Sequence, residues 1–423
     1  MKKLLTIGCI LATTGLMWAQ SNYDSAINQI EEKVIEWRHH FHQNPELSNR
    51  EFNTAKKIEA HLRSLGMEVK TGVAKTGVIG ILKGNRPGKV LALRADIDAL
   101  PVTERNDLAF KSNVTTTFRG VETGVMHACG HDTHIAILMG VAEVFAKNND
   151  FAGTIKFIFQ PAEEGAPPGE EGGAQLMVKE GALKNPDVDA IFGLHISSMQ
   201  PIGTLAYKPG GIMAASQSFE IEVKGKQTHG SMPWGGVDPI MAAVKIIDGL
   251  QTIISRESPL TQEAAVLSIG KITSGVRSNI IPESAQIVGT LRTLDKNMQK
   301  QINQRMKEMV PAIAAAYRAE ATISIPEGYP ITYNDPGLTA QMLPSLQAAA
   351  GKDRVFEIKA ITGAEDFSFF AQEVPGLYFF LGGKSPDSTE AYPHHTPDFK
   401  IDDAGMKLGV KTFVQLTLDY LNN

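Results

Sequence analysis

A cluster of potential metal ligands lies at residues 127–134, where the sequence reads HACGHDTH. Cys129 precedes His131 by two positions, and an apolar pattern of helical period begins at Asp132. A thiolate and a neutral imidazole are ligands that suit zinc, manganese, cobalt or nickel ions, and the amino end of a helix stabilises a thiolate. The spacing therefore indicates a metal site. The alternative is a polar loop around a buried, unreactive cysteine.

Two adjacent carboxylates, Glu163 and Glu164, follow the apolar run at 154–160 and precede a loop rich in glycine and proline. Neighbouring side chains point in different directions at a strand end, so one carboxylate can bind a metal ion while the other acts as a general base. The alternative is a solvated acidic loop. We interpret the nearby pair Glu170 and Glu171 as such a surface feature.

Four further histidines are candidates for the same site, and each also has an ordinary structural explanation. His195 lies in the apolar run AIFGLHIS, where a core histidine is the usual interpretation. His394 and His395 precede a proline-constrained turn, for which a surface position is the alternative. His229, in THGSMP, belongs to a different part of the chain and would have to reach the site from there. The histidines of the first two predicted helices are interpreted as structural: His39, His40, His42 and His61.

The elements that must position these residues alternate between strands and helices. The runs at 89–95, 154–160 and 190–196 are almost continuously apolar, as buried parallel strands are. Helical patterns near 132–147 and 171–181 separate them. We therefore predict an α/β domain with a mostly parallel sheet and helices on both faces. Because ligands bind beyond the carboxyl ends of such strands, the candidates at those ends can converge: Asp96, Asp98, Glu163, Glu164 and His195.

The pattern changes near Gly210 and Gly211, where strands alternate in polarity and longer amphipathic helices follow. The order β-α-β-β-α-β is that of a ferredoxin-like module, and we predict it as an insertion over 212–327. The predicted organisation is a signal peptide at 1–19, a catalytic domain formed by 24–211 and 328–423, and the inserted domain between these two segments.

Length and charge support two domains and exclude some partners. A chain of 423 residues exceeds what one hydrophobic core usually serves. The formal net charge is −5, and no basic cluster is present, which argues against nucleic acid as a partner. Nothing after the first twenty residues is apolar over the length of a membrane span, so we expect no membrane partner for the mature chain.

The amino terminus has the pattern of a secretory signal. Lys2 and Lys3 precede an apolar run at 4–19, and a polar stretch follows it, so cleavage is predicted after Ala19. The mature protein would then be periplasmic or secreted. It would keep Cys129 as its only cysteine, which excludes an internal disulfide and gives metal ligation as a role for the thiol.

Taken in order, several motifs resemble the aminoacylase/hippurate hydrolase branch of the dinuclear metallopeptidases. The resemblance extends over roughly residues 30–415. Relatives of this branch include N-acyl-amino-acid amidohydrolases, auxin-conjugate hydrolases and, more distantly, carboxypeptidase G-type enzymes. The motifs are LALRADIDALP, GVMHACGHDTH, FQPAEEGAPPGEEGGA, GLHIS, THGSMPWGGVDPI, RSNIIPESAQIVGTLR, TGAEDFSFF and HHTPDF.

The resemblance implies two divalent metal ions per subunit, with manganese, zinc, nickel and cobalt left open. It implies that Cys129 bridges the two ions, that Glu163 is the general base, and that His127 and His134 only support the site. The implied metal ligands are Cys129, His131, Glu164, His195 and His395.

The same resemblance implies roles for four further residues. Asp98 corresponds to an acid that orients a metal ligand, and His229 to a histidine that polarises the scissile carbonyl group from the inserted lid domain. Asn279 and Arg292 correspond to positions that bind the substrate carboxylate, which an arginine can grip through two hydrogen bonds. The inserted domain is also where such enzymes often dimerise, so a homodimer is expected through it.

These features predict a metal-dependent hydrolase that cleaves the amide bond of N-acyl-L-amino acids, such as acetyl or benzoyl conjugates. One alternative is a dipeptidase or carboxypeptidase on the same scaffold, because a dipeptide is itself an N-acyl amino acid. A second alternative, of a different class, is a non-catalytic peptide-binding module. In each case the partner is a small molecule.

Overall fold

The computed structural model describes residues 2–422, with side chains from Tyr23 onward. The chain forms two compact units. The first comprises the chain up to Gly210, Tyr333–Ile358 and the chain from Phe369 onward, and the second comprises Gly211–Thr332 and Lys359–Ser368. The segment predicted as an insertion, 212–327, lies within the second unit.

The helices are α1 (Lys2–Gln43), α2 (Phe52–Ser64), α3 (His131–Lys147), α4 (Gly173–Lys179), α5 (Pro239–Thr252), α6 (Lys296–Ala316), α7 (Pro336–Ala350), α8 (Phe367–Glu373) and α9 (Met406–Asn422). The strands of the amino-terminal half are β1 (Glu68–Val73), β2 (Gly77–Lys83), β3 (Arg86–Asp96), β4 (Thr115–Phe118), β5 (Val121–Gly124), β6 (Ala152–Gln160), β7 (Ala190–Pro201), β8 (Leu205–Tyr207) and β9 (Gly210–Met213). The remaining strands are β10 (Ala215–Lys224), β11 (Thr228–His229), β12 (Ala265–Ser274), β13 (Ile280–Ile281), β14 (Ser284–Thr293), β15 (Glu320–Ser324), β16 (Thr332–Asn334), β17 (Val355–Glu357) and β18 (Gly376–Lys384).

The predicted signal peptide, residues 1–19, lies outside the residues whose side chains are described, so export stays a prediction. Within the described part of the chain, no helix combines the length and the apolar character needed to cross a membrane.

The first unit is built on an eight-stranded sheet in the order β1-β2-β6-β3-β7-β18-β8-β17. The four central strands, β6, β3, β7 and β18, are parallel to one another, whereas β1 and β2 extend the sheet in antiparallel fashion. The predicted α/β class with a mostly parallel sheet is confirmed. Because the central strands are parallel, their carboxyl ends lie at one edge of the sheet.

The sheet of the first unit is covered on both faces, which explains its almost continuously apolar strands. Leu93 of β3 and Phe157 of β6 belong to the main core together with residues of α1, α3 and α9. Lys156 points to the opposite face, since side chains alternate along a strand. Its ammonium group donates to the carbonyls of Ala182 and Lys184 in the turns after α4.

The second unit contains a four-stranded antiparallel sheet in the order β12-β14-β10-β15. Along the chain its elements follow the order β10-α5-β12-β14-α6-β15, which is the predicted ferredoxin-like arrangement. Strand β10 buries Phe219 and Ile221 on the helical side. Helix α5 begins at Pro239, because the Asp238 carboxylate accepts from two backbone amides of its first turn and proline suits the first helical position.

Candidate metal centre

Cys129 lies two residues before the start of α3, and the local backbone explains why the residue between them is glycine. Gly130 adopts φ 89°, in the left-handed region. A Cβ atom there would approach Ile196 Cγ2 to 2.4 Å, so only glycine fits. The tight turn brings the Cys129 thiol and the His131 ring to the edge where the parallel strands end.

Three histidines from other segments surround the thiol. The Cys129 Sγ atom is 3.5 Å from His195 Nε2 on β7. It is 3.3 Å from His395 Nε2 and 3.6 Å from His394 Nδ1, both in the segment after β18. These distances are short enough for one cation to be shared by the sulfur and the nearby nitrogens.

Glu164 joins the same cluster from the turn after β6. Its Oε1 atom is 3.1 Å from His395 Nε2 and 3.9 Å from His131 Nε2. Glu163 points beside it, with Oε2 also 3.9 Å from His131 Nε2. The structure therefore brings together all five residues predicted as metal ligands and places the predicted base next to them.

Two groups of three potential ligands share the thiol. The first ligand group is Cys129, His131 and Glu164, and the second is Cys129, His195 and His394; within each group the candidate ligand atoms lie within 4.8 Å of one another. His131 Nε2 is buried without a hydrogen-bond partner among the described residues. Such an atom is costly unless it binds something, and with sulfur and imidazole alongside it fits a transition-metal or zinc ion.

His394 is a ligand candidate in the structure that the resemblance does not include among the metal ligands. Its Nε2 atom accepts from the Ser198 backbone amide at 3.3 Å, which leaves Nδ1 directed at the thiol. His395, the predicted ligand, has a positive φ of 62° and a side chain that is 55% exposed. Both imidazoles thus reach the same sulfur from adjacent positions in the chain.

Asp98 is placed to orient both the His131 ring and the turn that carries Glu163 and Glu164. The His131 ring donates from Nδ1 to the Asp98 carbonyl at 2.9 Å, and the Asp98 Oδ1 atom is 3.3 Å from the same nitrogen. This interaction turns Nε2 toward Glu164. Ser48 donates to the other carboxylate oxygen at 2.7 Å.

A third buried group, Asp96, His131 and His134, also has ligand-type atoms within 4.8 Å of one another. Here the hydrogen bonds are already made. His134 Nδ1 is 2.5 Å from Asp96 Oδ1, and its Nε2 accepts from the Ile196 amide at 2.8 Å. Arg94 donates to the other Asp96 oxygen at 2.6 Å. Both ring nitrogens of His134 are thus engaged, and its role in supporting the site stays a prediction.

The raised pKa values of Cys129 and His131 indicate that the carboxylates give the site an excess of negative charge. Burial raises the pKa of the Cys129 thiol well above its usual value, and the carboxylates of Glu164 and Glu163 raise it further. Burial alone would lower the pKa of His131, but Asp96 and other carboxylates raise it to about 10. A divalent cation supplies the positive charge that ionises a thiol and displaces a proton from an imidazole. The electrostatics therefore favour bound cations.

Three of the predicted site residues lie in the second unit. His229, on β11, and Asn279, just before β13, are neighbours: β11 pairs with β13, and the Gly230 amide donates to the Asn279 carbonyl at 2.8 Å. Arg292 belongs to a different sheet, near the end of β14, where it donates to Thr290 Oγ1. The structure thus groups His229 with Asn279 and places Arg292 apart from them in sequence and sheet.

Two residues near the candidate metal centre of the first unit were not anticipated from the sequence. Ser48 and Glu51 come from the segment between α1 and α2, and they contact Asp98 and the Ala162 amide respectively. No periodicity or motif in that segment signals a role. The contacts arise only when residues 50 and 111 positions apart are brought together.

Comparison with known proteins agrees with this geometry. Residues 92–419 match the description "Peptidase family M20/M25/M40". The chain belongs to this family. It is 42% identical over 399 residues to thermostable carboxypeptidase 2 of Saccharolobus solfataricus, covering 94% of this chain and 97% of that protein. It is 36% identical to the N-acetyl-L-cysteine deacetylase of Bacillus subtilis, covering 90% and 86% of the two chains.

Among solved structures, the chain resembles the Bacillus subtilis YXEP protein, described as a dinuclear metal-binding peptidase of the M20 family. The TM-score is 0.78 at 34% identity, over 93% of this chain and 99% of that one. The predicted class of enzyme, a metal-dependent amidohydrolase, is confirmed by this family membership.

Proposed function

We propose that this chain hydrolyses the amide bond of N-acyl-L-amino acids at two divalent metal ions bridged by Cys129. The observation that carries the proposal is the pair of ligand groups that share the buried Cys129 thiol, with the Glu163 carboxylate beside them. A centre with one shared ligand holds two ions close together, which is the arrangement that activates one water for attack.

In this proposal Cys129, His131 and Glu164 would hold one ion, and Cys129, His195 and His395 would hold the other. His395, whose Nε2 atom is 3.3 Å from the thiol, is assigned from the resemblance in place of the His394 of the second ligand group. Asp98 keeps the His131 ring oriented through the contacts at Nδ1. The chemistry that the bound ions supply is a water of lowered pKa and a polarised amide carbonyl.

Glu163 performs the proton transfers. One of its carboxylate oxygens takes a proton from the attacking water and later delivers it to the nitrogen of the leaving amine. His229 donates to the carbonyl oxygen as negative charge develops there, and Asn279 and Arg292 bind the free carboxylate of the substrate.

An acyl amino acid as substrate is supported by the relative named as a deacetylase of N-acetyl-L-cysteine. A carboxypeptidase or dipeptidase is the second candidate, and the relatives named as thermostable carboxypeptidases, at 42% and 41% identity, favour it. The complete set of potential ligands together with Glu163 argues against a non-catalytic binding module.

The experiment that separates these candidates is a substrate panel. The purified chain is loaded in turn with manganese, zinc, nickel or cobalt and offered N-acetyl-, N-benzoyl- and aminoacyl-amino acids, with release of the free amino acid measured. We expect turnover of the acetyl or benzoyl compounds. A strict requirement for a free α-amino group would favour the dipeptidase. Metal-loaded protein that is inert on the whole panel would favour the binding module.

A homodimer through the second unit is part of the same proposal. Strand β12 lies at an edge of its sheet and exposes Val266 and Ile272. Helix α5 exposes Met241 and Val244, and its Ile240 lies beside the end of β12, 4.0 Å from where a Cβ of Gly275 would stand. An edge strand with adjacent apolar side chains offers unpaired backbone groups and apolar area to a second copy of the chain.

A further inference from the structure

A short segment between α1 and α2, residues 48–51, contacts Asp98 and the loop that carries Glu163 and Glu164. Each of its four residues makes a contact of its own. Ser48 donates to Asp98 at 2.7 Å, Asn49 to the Glu171 carbonyl at 3.1 Å, Arg50 to Glu170 at 2.5 Å, and Glu51 accepts from the Ala162 amide at 2.9 Å.

The turn itself is held by three consecutive backbone amides. The Ala162 amide donates to Glu51 Oε1 at 2.9 Å. The next two amides, of Glu163 and Glu164, donate to the two oxygens of Asp98 at 3.1 Å each. Successive amides that converge on carboxyl groups fix the direction of the backbone. The two carboxylates that follow are therefore aimed by Glu51 and Asp98 together.

Ala162 has an unusual conformation that needs such support. Its φ is 53°, in the left-handed region that a residue with a Cβ atom rarely adopts. Glu51 is fully buried, and Thr76 donates to its second oxygen at 2.6 Å, so the carboxyl group is fixed in place. The hydrogen bond from the Ala162 amide to this fixed carboxyl group therefore helps to hold the left-handed backbone in place.

We propose that Glu51 is a positioning residue for the hydrolysis: by holding the Ala162 amide, it fixes the turn that aims the Glu163 carboxylate. The inference rests on the proposed function, since it takes Glu163 as the general base. A displacement of about 1 Å in a reacting group can lower turnover about a hundredfold. Because Glu164 follows in the same turn, the same displacement weakens metal binding.

Two conservative variants separate the reach of the Glu51 side chain from its charge. Glu51→Gln keeps the length and an acceptor oxygen for the Ala162 amide, and its amide can donate to Thr76. Glu51→Asp keeps a carboxyl group but is one methylene too short. Burial and the nearby Asp98 carboxylate raise the pKa of Glu51 to about 8, so glutamine also resembles the form present at neutral pH. The same chemical change at a more exposed position of α2, Glu59→Asp, is the matched control, since Glu59 forms an ion pair with Arg63 four residues on.

The experiment measures kcat and KM on a substrate turned over by the wild type, and Co²⁺ affinity by absorbance titration of the metal-free protein. For Glu51→Asp we expect kcat to fall about 10- to 100-fold with KM changed less than about threefold, and Co²⁺ binding to weaken about tenfold. Glu51→Gln and Glu59→Asp should stay within about threefold of wild type in both measurements.

Wild-type kcat and Co²⁺ affinity in Glu51→Asp would overturn the inference. An equal loss in Glu51→Gln would also overturn it, because the charge of the side chain rather than its length would then matter. The proposed function is tested separately by Glu163→Gln. If that variant keeps normal turnover, the base assignment fails whatever the Glu51 variants show. If it is inactive while Glu51→Asp is normal, only the inference about Glu51 falls.

Discussion

A buried cluster of charged groups beneath α3 makes the stability of the first unit depend on pH through His42. This histidine is 1% exposed and lies between two carboxylates. Its Nδ1 atom is 2.9 Å from Asp132 on α3, and its Nε2 atom is 3.2 Å from Glu104. Arg38, one turn earlier on α1, and His127, before α3, complete the set of titratable or charged groups that face it.

The size and sign of the effect follow from these contacts. Burial lowers the pKa of His42, but hydrogen bonds to Asp132 and Glu104 outweigh it and raise the pKa from 6.5 to about 8. At roughly 1.4 kcal/mol per pKa unit, this corresponds to about 2 kcal/mol. Because the folded protein binds this proton more tightly than the unfolded chain, the stabilisation is fully present below pH 6.5 and is lost as the pH rises through 8.

The assay compares urea unfolding of the metal-free wild type and His42→Gln at about pH 6 and about pH 9. Glutamine cannot bind the proton, so the wild type should lose about 2 kcal/mol more than the variant between the two pH values. His40→Gln removes a histidine on the same helix whose pKa is lowered by burial, so this variant should not show the reduced loss expected for His42→Gln. An equal pH dependence for wild type and His42→Gln would refute the reasoning.

Three further predictions concern the site and the assembly. Glu163→Gln should keep its metal content, measured by mass spectrometry, and lose about 10²- to 10⁴-fold in kcat; near-normal turnover would remove Glu163 from the base role. His395→Ala should bind about one ion fewer per chain than wild type while His394→Ala keeps both; the reverse result would assign the ligand to His394. Ile272→Lys should convert a dimer into a monomer in light scattering without changing the fold, and a wild type that is already monomeric would contradict the dimer.

The sequence predicts the central strands of the first unit well because burial on both faces leaves a simple signature. The runs at 154–160 and 190–196 fall inside β6 and β7. The edge strands were not anticipated. β1 is mostly exposed along its length, so its sequence, EVKTGV, has no continuous apolar pattern to announce a strand.

The residues of the site also differ in how far the sequence predicts them. Its ligand candidates follow from motifs, since Cys129 and His131 sit two positions apart and Glu164 follows a strand. The residues that hold them in place do not. Glu51 and His42 lie in helical or connecting segments with ordinary composition, and only tertiary contacts reveal their partners Ala162 and Asp132. Glu170 was interpreted from the sequence as a surface residue. It forms ion pairs with Arg50 and Lys75, which are distant in the sequence and which only the tertiary structure brings close to it.

The central claim, a two-ion centre bridged by the Cys129 thiolate that is required for amide hydrolysis, is tested most directly by metal content and activity in one preparation. The wild type and Cys129→Ala are stripped with a chelator and titrated with Mn²⁺ or Zn²⁺ while bound metal and hydrolysis of an N-acetyl amino acid are followed. We predict about two ions per wild-type chain, activity that appears only as they bind, and loss of both in Cys129→Ala. Full activity without bound metal, or two tightly held ions in Cys129→Ala, would contradict the account.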